Sequence, residues 1–170
     1  MIDDSVISAN TASQGGGVYN DAVSTLATAS VANLPSASLS IQNSTIGGVG
    51  AGNTATTSGG GIYNGYEFTL QVLGSRILYN TAPNGGGVFS WNEIVGATSV
   101  TGSCIVGNSH ISFFNDKAAQ QIATGNWWGA SGGPDAPGAD TVGGPVDTNG
   151  FLNAPNPGCE FDVYLPLAIR

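Results

Sequence analysis

Three carboxylates, Asp135, Asp140 and Asp147, share a segment rich in glycine and proline. Oxygen ligands on a loop are what a calcium ion takes. Their separations, five and seven residues, lack the close, regular spacing of a calcium loop, and no Gly-Gly-x-Gly-x-Asp repeat accompanies them. They read as solvated turn carboxylates and are the chain's weak metal candidates. Polysaccharide cleavage would need clustered carboxylates, or an Arg or Lys base beside acidic calcium ligands. The supply is poor. Asp3 and Asp4 adjoin at the start, Arg76 stands opposite Val6, Thr45 and Cys104 in the repeats described below, and His110 has no evident partner. No residue is assigned a catalytic role, and no cofactor is expected. A row of aromatics, Tyr19, Tyr63, Phe89 and Phe114, recurs along the chain. Such a row could bind a sugar ring or another protein, or lie packed beneath a loop.

What would position these residues is an internal repeat, the first feature to seek in any sequence. One copy reads Ser5-Val6-Ile7-Ser8-Ala9-Asn10, then Gly15-Gly16-Gly17-Val18-Tyr19-Asn20. The next has Ser44-Thr45-Ile46, Asn53, and Gly59-Gly60-Gly61-Ile62-Tyr63-Asn64. A third has Ser75-Arg76-Ile77-Leu78-Tyr79-Asn80, then Gly85-Gly86-Gly87-Val88-Phe89. A worn fourth has Ser103-Cys104-Ile105-Val106-Gly107-Asn108, then Phe113-Phe114-Asn115. Asn53 and Asn80 lie 27 residues apart, Asn80 and Asn108 lie 28 apart, and Asn10 and Asn53 lie 43 apart. The longer first interval predicts a loop excursion over residues 21–38.

Between copies lies another alternating segment: Leu39-Ser40-Ile41, Leu70-Gln71-Val72 and Thr98-Ser99-Val100. Five residues separate Ile41 from Ile46. One straight strand would put that pair on opposite faces, so a bend at Asn43, Gly74 or Gly102 is needed to turn both inward. Each repeat then reads as three short strands with bends. Ile7, Ile46, Ile77 and Ile105 should form one inward stack, and Val18, Ile62, Val88 and Phe113 a second. Asn10, Asn53, Asn80 and Asn108 should sit at a corner, in left-handed backbone, bonding the copies above and below. The glycine runs should turn at positive φ; no lysine or helix follows them to make a phosphate cradle. Recurring glycine triplets argue against helix, and the same motif recurring in order argues against a β-sandwich. The expected fold is all-β, a right-handed parallel β-helix of about four to five short rungs.

Composition bounds the rest. Charged residues make up 8% of the 170 residues, with 11 acidic against three basic, so nucleic acid is not an expected partner. At 41% hydrophobic the chain does not read as disordered. No apolar run reaches the roughly 20 residues of a membrane span. Met1-Ile2-Asp3-Asp4 does not read as a secretory signal, which suggests an excised piece. Cys104 and Cys159 could pair in an oxidising compartment or remain independent.

The pairing of Ile-x-x-Asn-Thr-Ala with Gly-Gly-Gly-(Val/Ile) resembles the repeats of the polymorphic outer membrane protein type, written Phe-x-x-Asn and Gly-Gly-Ala-(Ile/Leu/Val). This chain has Ile for Phe and Gly for Ala. Gly125-Asn126-Trp127-Trp128-Gly129, followed by Gly133-Pro134, looks like the terminal Asn-Trp-Trp-Gly element of bacterial right-handed β-helix repeat proteins. The resemblance spans about residues 5 to 155. It implies a pectin lyase-like fold and secretion or display at the cell surface. Because an open coil end exposes strand edges, Trp127 and Trp128 read as a hydrophobic lid over the last rung rather than as a ligand platform. The expected organisation is rungs over 1–125, a cap and turn-rich segment over 126–158, and a tail over 159–170. The expected function is a non-catalytic scaffold or adhesion module meeting carbohydrate or surface proteins. The alternatives are a polysaccharide-binding, lyase or hydrolase protein on the same fold, and a truncated fragment without independent function. With four residues before the first stacked strand, the N-terminal end is expected to fray or self-associate.

Overall fold

The computed structural model describes residues 1–21, 38–66, 68–92 and 96–159, and the expected excursion and tail lie almost wholly outside them. Among these residues the chain is all-β. The first repeat gives β1 (Ile2–Asp3), β2 (Val6–Ile7), β3 (Thr11–Gln14) and β4 (Val18–Asn20). The second gives β5 (Ser38–Gln42), β6 (Thr45–Gly47), β7 (Thr54–Ser58) and β8 (Ile62–Tyr66). The third gives β9 (Thr69–Leu73), β10 (Arg76–Leu78) and β11 (Val88–Asn92), and the fourth β12 (Thr98–Thr101), β13 (Cys104–Val106) and β14 (Ile111–Asn115). β15 (Gln121–Ile122), β16 (Thr141–Gly143) and β17 (Val146–Asp147) complete the set.

Strands pair with their counterparts one repeat away, always in parallel. The first sheet runs β1-β5-β9-β12-β15-β17, the second β2-β6-β10-β13, and the third β4-β8-β11-β14-β16. β3 and β7 form a small fourth sheet, which shrinks to single bridges at Thr81 and Asn84. The first two repeats therefore carry four strands rather than the three expected.

The registers line up like residues. Ile7, Ile46, Ile77 and Ile105 are successive partners in the second sheet. Val18, Ile62, Val88 and Phe113 are successive partners in the third. With Ile41, Leu70, Val72 and Val100 they make one core. Cys104 bridges Trp127, and Ile105 donates its N–H to the Trp127 carbonyl at 2.9 Å. Asn126-Trp127-Trp128 thus stacks on Ser103-Cys104-Ile105 as a fifth copy. Trp128, fully buried, takes the next place in the isoleucine column.

Bends deliver these columns inward. Asp4, Asn43, Gly74, Gly102 and Gly125 all have positive φ, at the point between the first and second sheets where the odd spacing requires a turn. At the asparagine corner the reading is corrected. None of Asn10, Asn53, Asn80 and Asn108 is left-handed; in three repeats the residue before it is, Ala9, Tyr79 or Gly107. The asparagine stays out of that conformation because its backbone N–H and amide must both face the next repeat. The glycine triplets are also corrected. Only the first glycine turns at positive φ, with His110 in its place in the fourth repeat. The second and third are required by close approach: a Cβ on Gly60 would lie 2.5 Å from the Gly86 oxygen, and one on Gly61 2.6 Å from that of Gly87.

Replacing Ile77 with Asp is expected to be severe. It removes roughly 1.5–3 kcal/mol of burial and places an unpaired charge in the core. The outward-facing Val6→Asp, at a residue 73% exposed, should shift stability by less than about 0.5 kcal/mol. Urea denaturation of both variants checks the inward assignment.

Candidate functional site

The sequence concentrates polar, uncharged side chains at repeat corners, and there the structure makes two hydrogen-bonded ladders. In the first, the backbone N–H and Nδ2 of Asn10 both donate to Asn53 Oδ1, at 3.1 and 3.0 Å. Asn53 does the same to Asn80, and Asn80 to Asn108. The second Nδ2 hydrogen of Asn53, Asn80 and Asn108 goes back to the carbonyl of Ile7, Ile46 and Ile77 respectively. The ladder ends on Asp140. Its Oδ2 accepts from Asn108 N–H at 3.1 Å and Nδ2 at 2.9 Å, and its Oδ1 accepts from Gly107 N–H at 2.7 Å.

The second ladder uses serine. The N–H groups of Ser5, Ser44 and Ser75 donate to the hydroxyls of Ser44, Ser75 and Ser103. Each of those hydroxyls donates onward to a carbonyl two residues back. Ser103 N–H ends on Asn126 Oδ1 at 2.8 Å, and Asn126 Nδ2 donates to the Val100 carbonyl.

The three candidate metal ligands are not brought together. Asp135 is exposed and accepts from Val142 N–H, and Asp147 accepts from Asn149 N–H. Asp140 is not the solvated turn carboxylate expected: it is buried, because the asparagine ladder needs an acceptor at its end. Burial raises its carboxyl above the usual range. Hydrogen bonds from the side chains of Asn108 and Ser112, and from the backbone of Asn108 and Gly107, pull the other way without offsetting it. Among the described residues, no three His, Cys, Asp or Glu side chains gather in a metal-binding arrangement.

The aromatics do form a row. Tyr19 stacks on Tyr63 at 5.1 Å between centroids, Tyr63 on Phe89 at 5.3 Å, and Phe89 meets Phe114 edge-on at 5.8 Å. Tyr63 and Phe89 are buried while Tyr19 is 46% exposed. The ring faces are spent on each other, so the row offers a ligand only its ends. Burial, with the nearby Asp21 charge, raises the hydroxyl pKa of both Tyr63 and Tyr19.

On the outer side of the second sheet, Cys104 and Cys159 form a disulfide, with Cα atoms 5.4 Å apart. A second apolar cluster of Leu78, Cys104, Trp127 and Cys159 gathers there, with Val106 and Leu152 against it. Arg76 Nε donates to the Gly158 carbonyl, and Asn156 Nδ2 to that of Gly102. Trp127 thus serves this outer cluster and Trp128 the core. On the outer face of the first sheet, Ser40, Gln42, Gln71, Leu73, Ser99 and Thr101 line a depression of about 170 Å³. No helix of the described residues is long and apolar enough to cross a membrane.

No protein-family model, curated protein or solved structure matches the chain.

The serine ladder and both terminators were the features sequence reasoning missed. Their signals were present. Serine precedes each x-Ile, and Asp140 falls 32 residues after Asn108, close to one repeat.

Asp140→Leu is expected to leave three donors unpaired, at about 1–3 kcal/mol for each buried group. Asp140→Asn keeps an acceptor and should cost less. A carboxyl raised in the folded state binds protons that the unfolded state releases, so its contribution to stability grows as pH falls. The difference in unfolding free energy, wild type minus Asp140→Asn, should therefore increase toward about pH 4, near the free carboxyl's range. Denaturation of both proteins across pH checks the sign.

Proposed function

We propose that the chain is a section of a right-handed parallel β-helix acting outside the cell as a non-catalytic scaffold or adhesion module. The observation that carries this reading is the fate of its polar groups. Asparagine, serine and the one buried carboxylate are engaged in joining repeat to repeat, which is what a stacked, quasi-one-dimensional architecture requires. The parallel registers and the recurrent left-handed corners favour a coil that closes on itself each repeat. The Cys104–Cys159 disulfide favours an oxidising compartment. The low charge and the bacterial repeat resemblance favour secretion or surface display.

One observation favours a second reading, carbohydrate binding. The depression over β5, β9 and β12 is lined by uncharged hydroxyls and amides beside the apolar Leu73, a mixture suited to the hydroxyls and apolar face of a sugar. Arg76, the base a lyase would need, is engaged with the C-terminal segment instead.

The test is an immobilised-protein assay against cell surfaces and polysaccharides, with product analysis on acidic polysaccharides such as pectate. Adhesion without depolymerisation is expected. Release of unsaturated oligosaccharides, abolished by Arg76→Ala, would overturn the non-catalytic reading. Saturable glycan binding lost in Gln71→Ala would favour the second.

A further inference from the structure

The three larger sheets use their outer faces differently. The second lies under the C-terminal segment, and the third carries the stacked aromatic row. The first, of six strands, keeps Gln71, Leu73 and Ile122 exposed. Its outward residues fall into two rows across the strands. One runs Ser40, Gln71, Ser99, Ile122 and Asp147, and the other Asp3, Gln42, Leu73 and Thr101. At the repeat corners, hydroxyls and amides are engaged in joining one repeat to the next. On this face Gln42 Nε2 donates to Ser40 Oγ of its own strand, and the side chains of Gln71, Ser99 and Thr101 make no hydrogen bond among the described residues. Leu73 and Ile122 stand two strands apart, roughly 10 Å along the stacking direction at the usual strand spacing.

We propose that this face binds an uncharged polysaccharide whose chain lies along the stacking direction, across β9, β12 and β15. The inference rests on the carbohydrate-binding reading above and narrows it to one class of glycan. A sugar ring has an apolar C–H face and a rim of hydroxyls. Leu73 and Ile122 would each meet a ring face, while Gln71, Ser99 and Thr101 would meet the hydroxyls. Charge selects against acidic glycans. Asp147 adjoins Ile122 on the next strand, and Asp3 adjoins Gln42 at the other end of the face. A uronate there would approach like charges on a chain of net charge −8. The Arg and Lys side chains among the described residues are engaged elsewhere: Arg76 Nε donates to the Gly158 carbonyl, and Lys117 lies over the Trp91 ring at 4.7 Å.

The experiment is native electrophoresis of the whole chain through gels holding hydroxyethyl cellulose, dextran, a galactomannan or polygalacturonate. Mobility is referred to a polymer-free gel for each protein. At least one neutral polymer should retard the protein, and polygalacturonate should not. Gln71→Ala should weaken the neutral interaction by about three- to tenfold, the worth of one or two hydrogen bonds. Ile122→Asp, beyond the depression on the same face, should abolish it. Both residues are exposed, so both variants should fold, which urea denaturation checks. No retardation in any gel would overturn this inference and the carbohydrate-binding reading together, as would neutral binding indifferent to both variants. Two results would overturn the inference alone: polygalacturonate retarding as strongly as the neutral polymers, or neutral binding that Gln71→Ala weakens and Ile122→Asp leaves intact.

Discussion

One interaction governs the architecture: the pair of hydrogen bonds that each corner asparagine donates to the side-chain oxygen of the next residue in its column. Asn53, Asn80 and Asn108 are buried, so an unmatched amide there would carry the full cost of desolvation. A match exists only if the neighbouring repeat offers the same residue at the same height. That requirement fixes the identity of the residue and the 27- and 28-residue spacings of the later repeats. It also reaches the glycines. A Cβ on Gly17 would lie 2.9 Å from Asn53 Nδ2, and one on Gly61 3.0 Å from Asn80 Nδ2. The third glycine of each triplet is therefore the space in which the amide lies.

A ladder built this way has unlike ends. Asparagine can pass hydrogens on; aspartate can only receive them. The placement of Asp140 after three interior asparagines is thus a chemical stop, held by the N–H groups of Gly107 and Asn108 and by the Asn108 amide, and buried deeply enough to raise its pKa. The serine ladder is stopped differently. Asn126 reaches farther than a serine would, accepts from Ser103 N–H, and donates one amide hydrogen bond to the Val100 carbonyl. The same short element then places Trp128 over Ile105, so polar and apolar columns close within three residues. Trp128 is an imperfect plug: its indole N–H has no acceptor among the described residues.

Much of this was legible because each column repeats a residue type. The isoleucine and valine columns could be aligned by eye, and the odd interval from Ile41 to Ile46 predicted a bend that the structure places at Asn43, Gly74 and Gly102. What stayed hidden lay where identity changes along a column. Serine gives way to Asn126, isoleucine to Trp128 and asparagine to Asp140, so a search for like residues stopped one step early at all three. The left-handed corner residue was misplaced for a related reason. Ala9, Tyr79 and Gly107 share no side chain, and the recurring asparagine beside them drew the inference.

That contrast separates the surfaces on which selection for stacking acts from those on which it does not. Inward columns are uniform because each member must fit the one below. The outward column of the second sheet runs Val6, Thr45, Arg76, Cys104, Trp127, changing character at every step. Stacking alone would tolerate nearly any residue there. The later members are instead tied to the C-terminal segment, through the Arg76 contact with Gly158, the disulfide and the packing of Trp127 with Leu152 and Cys159. The disulfide joins residues 55 apart in sequence and so constrains the unfolded chain as well as the folded one. The C-terminal side is accordingly closed twice, by terminators within and by a tethered segment outside. Among the described residues the N-terminal side has neither: β1 to β4 each pair on one side alone, and Ile2 and Ile7 are only partly buried against the core.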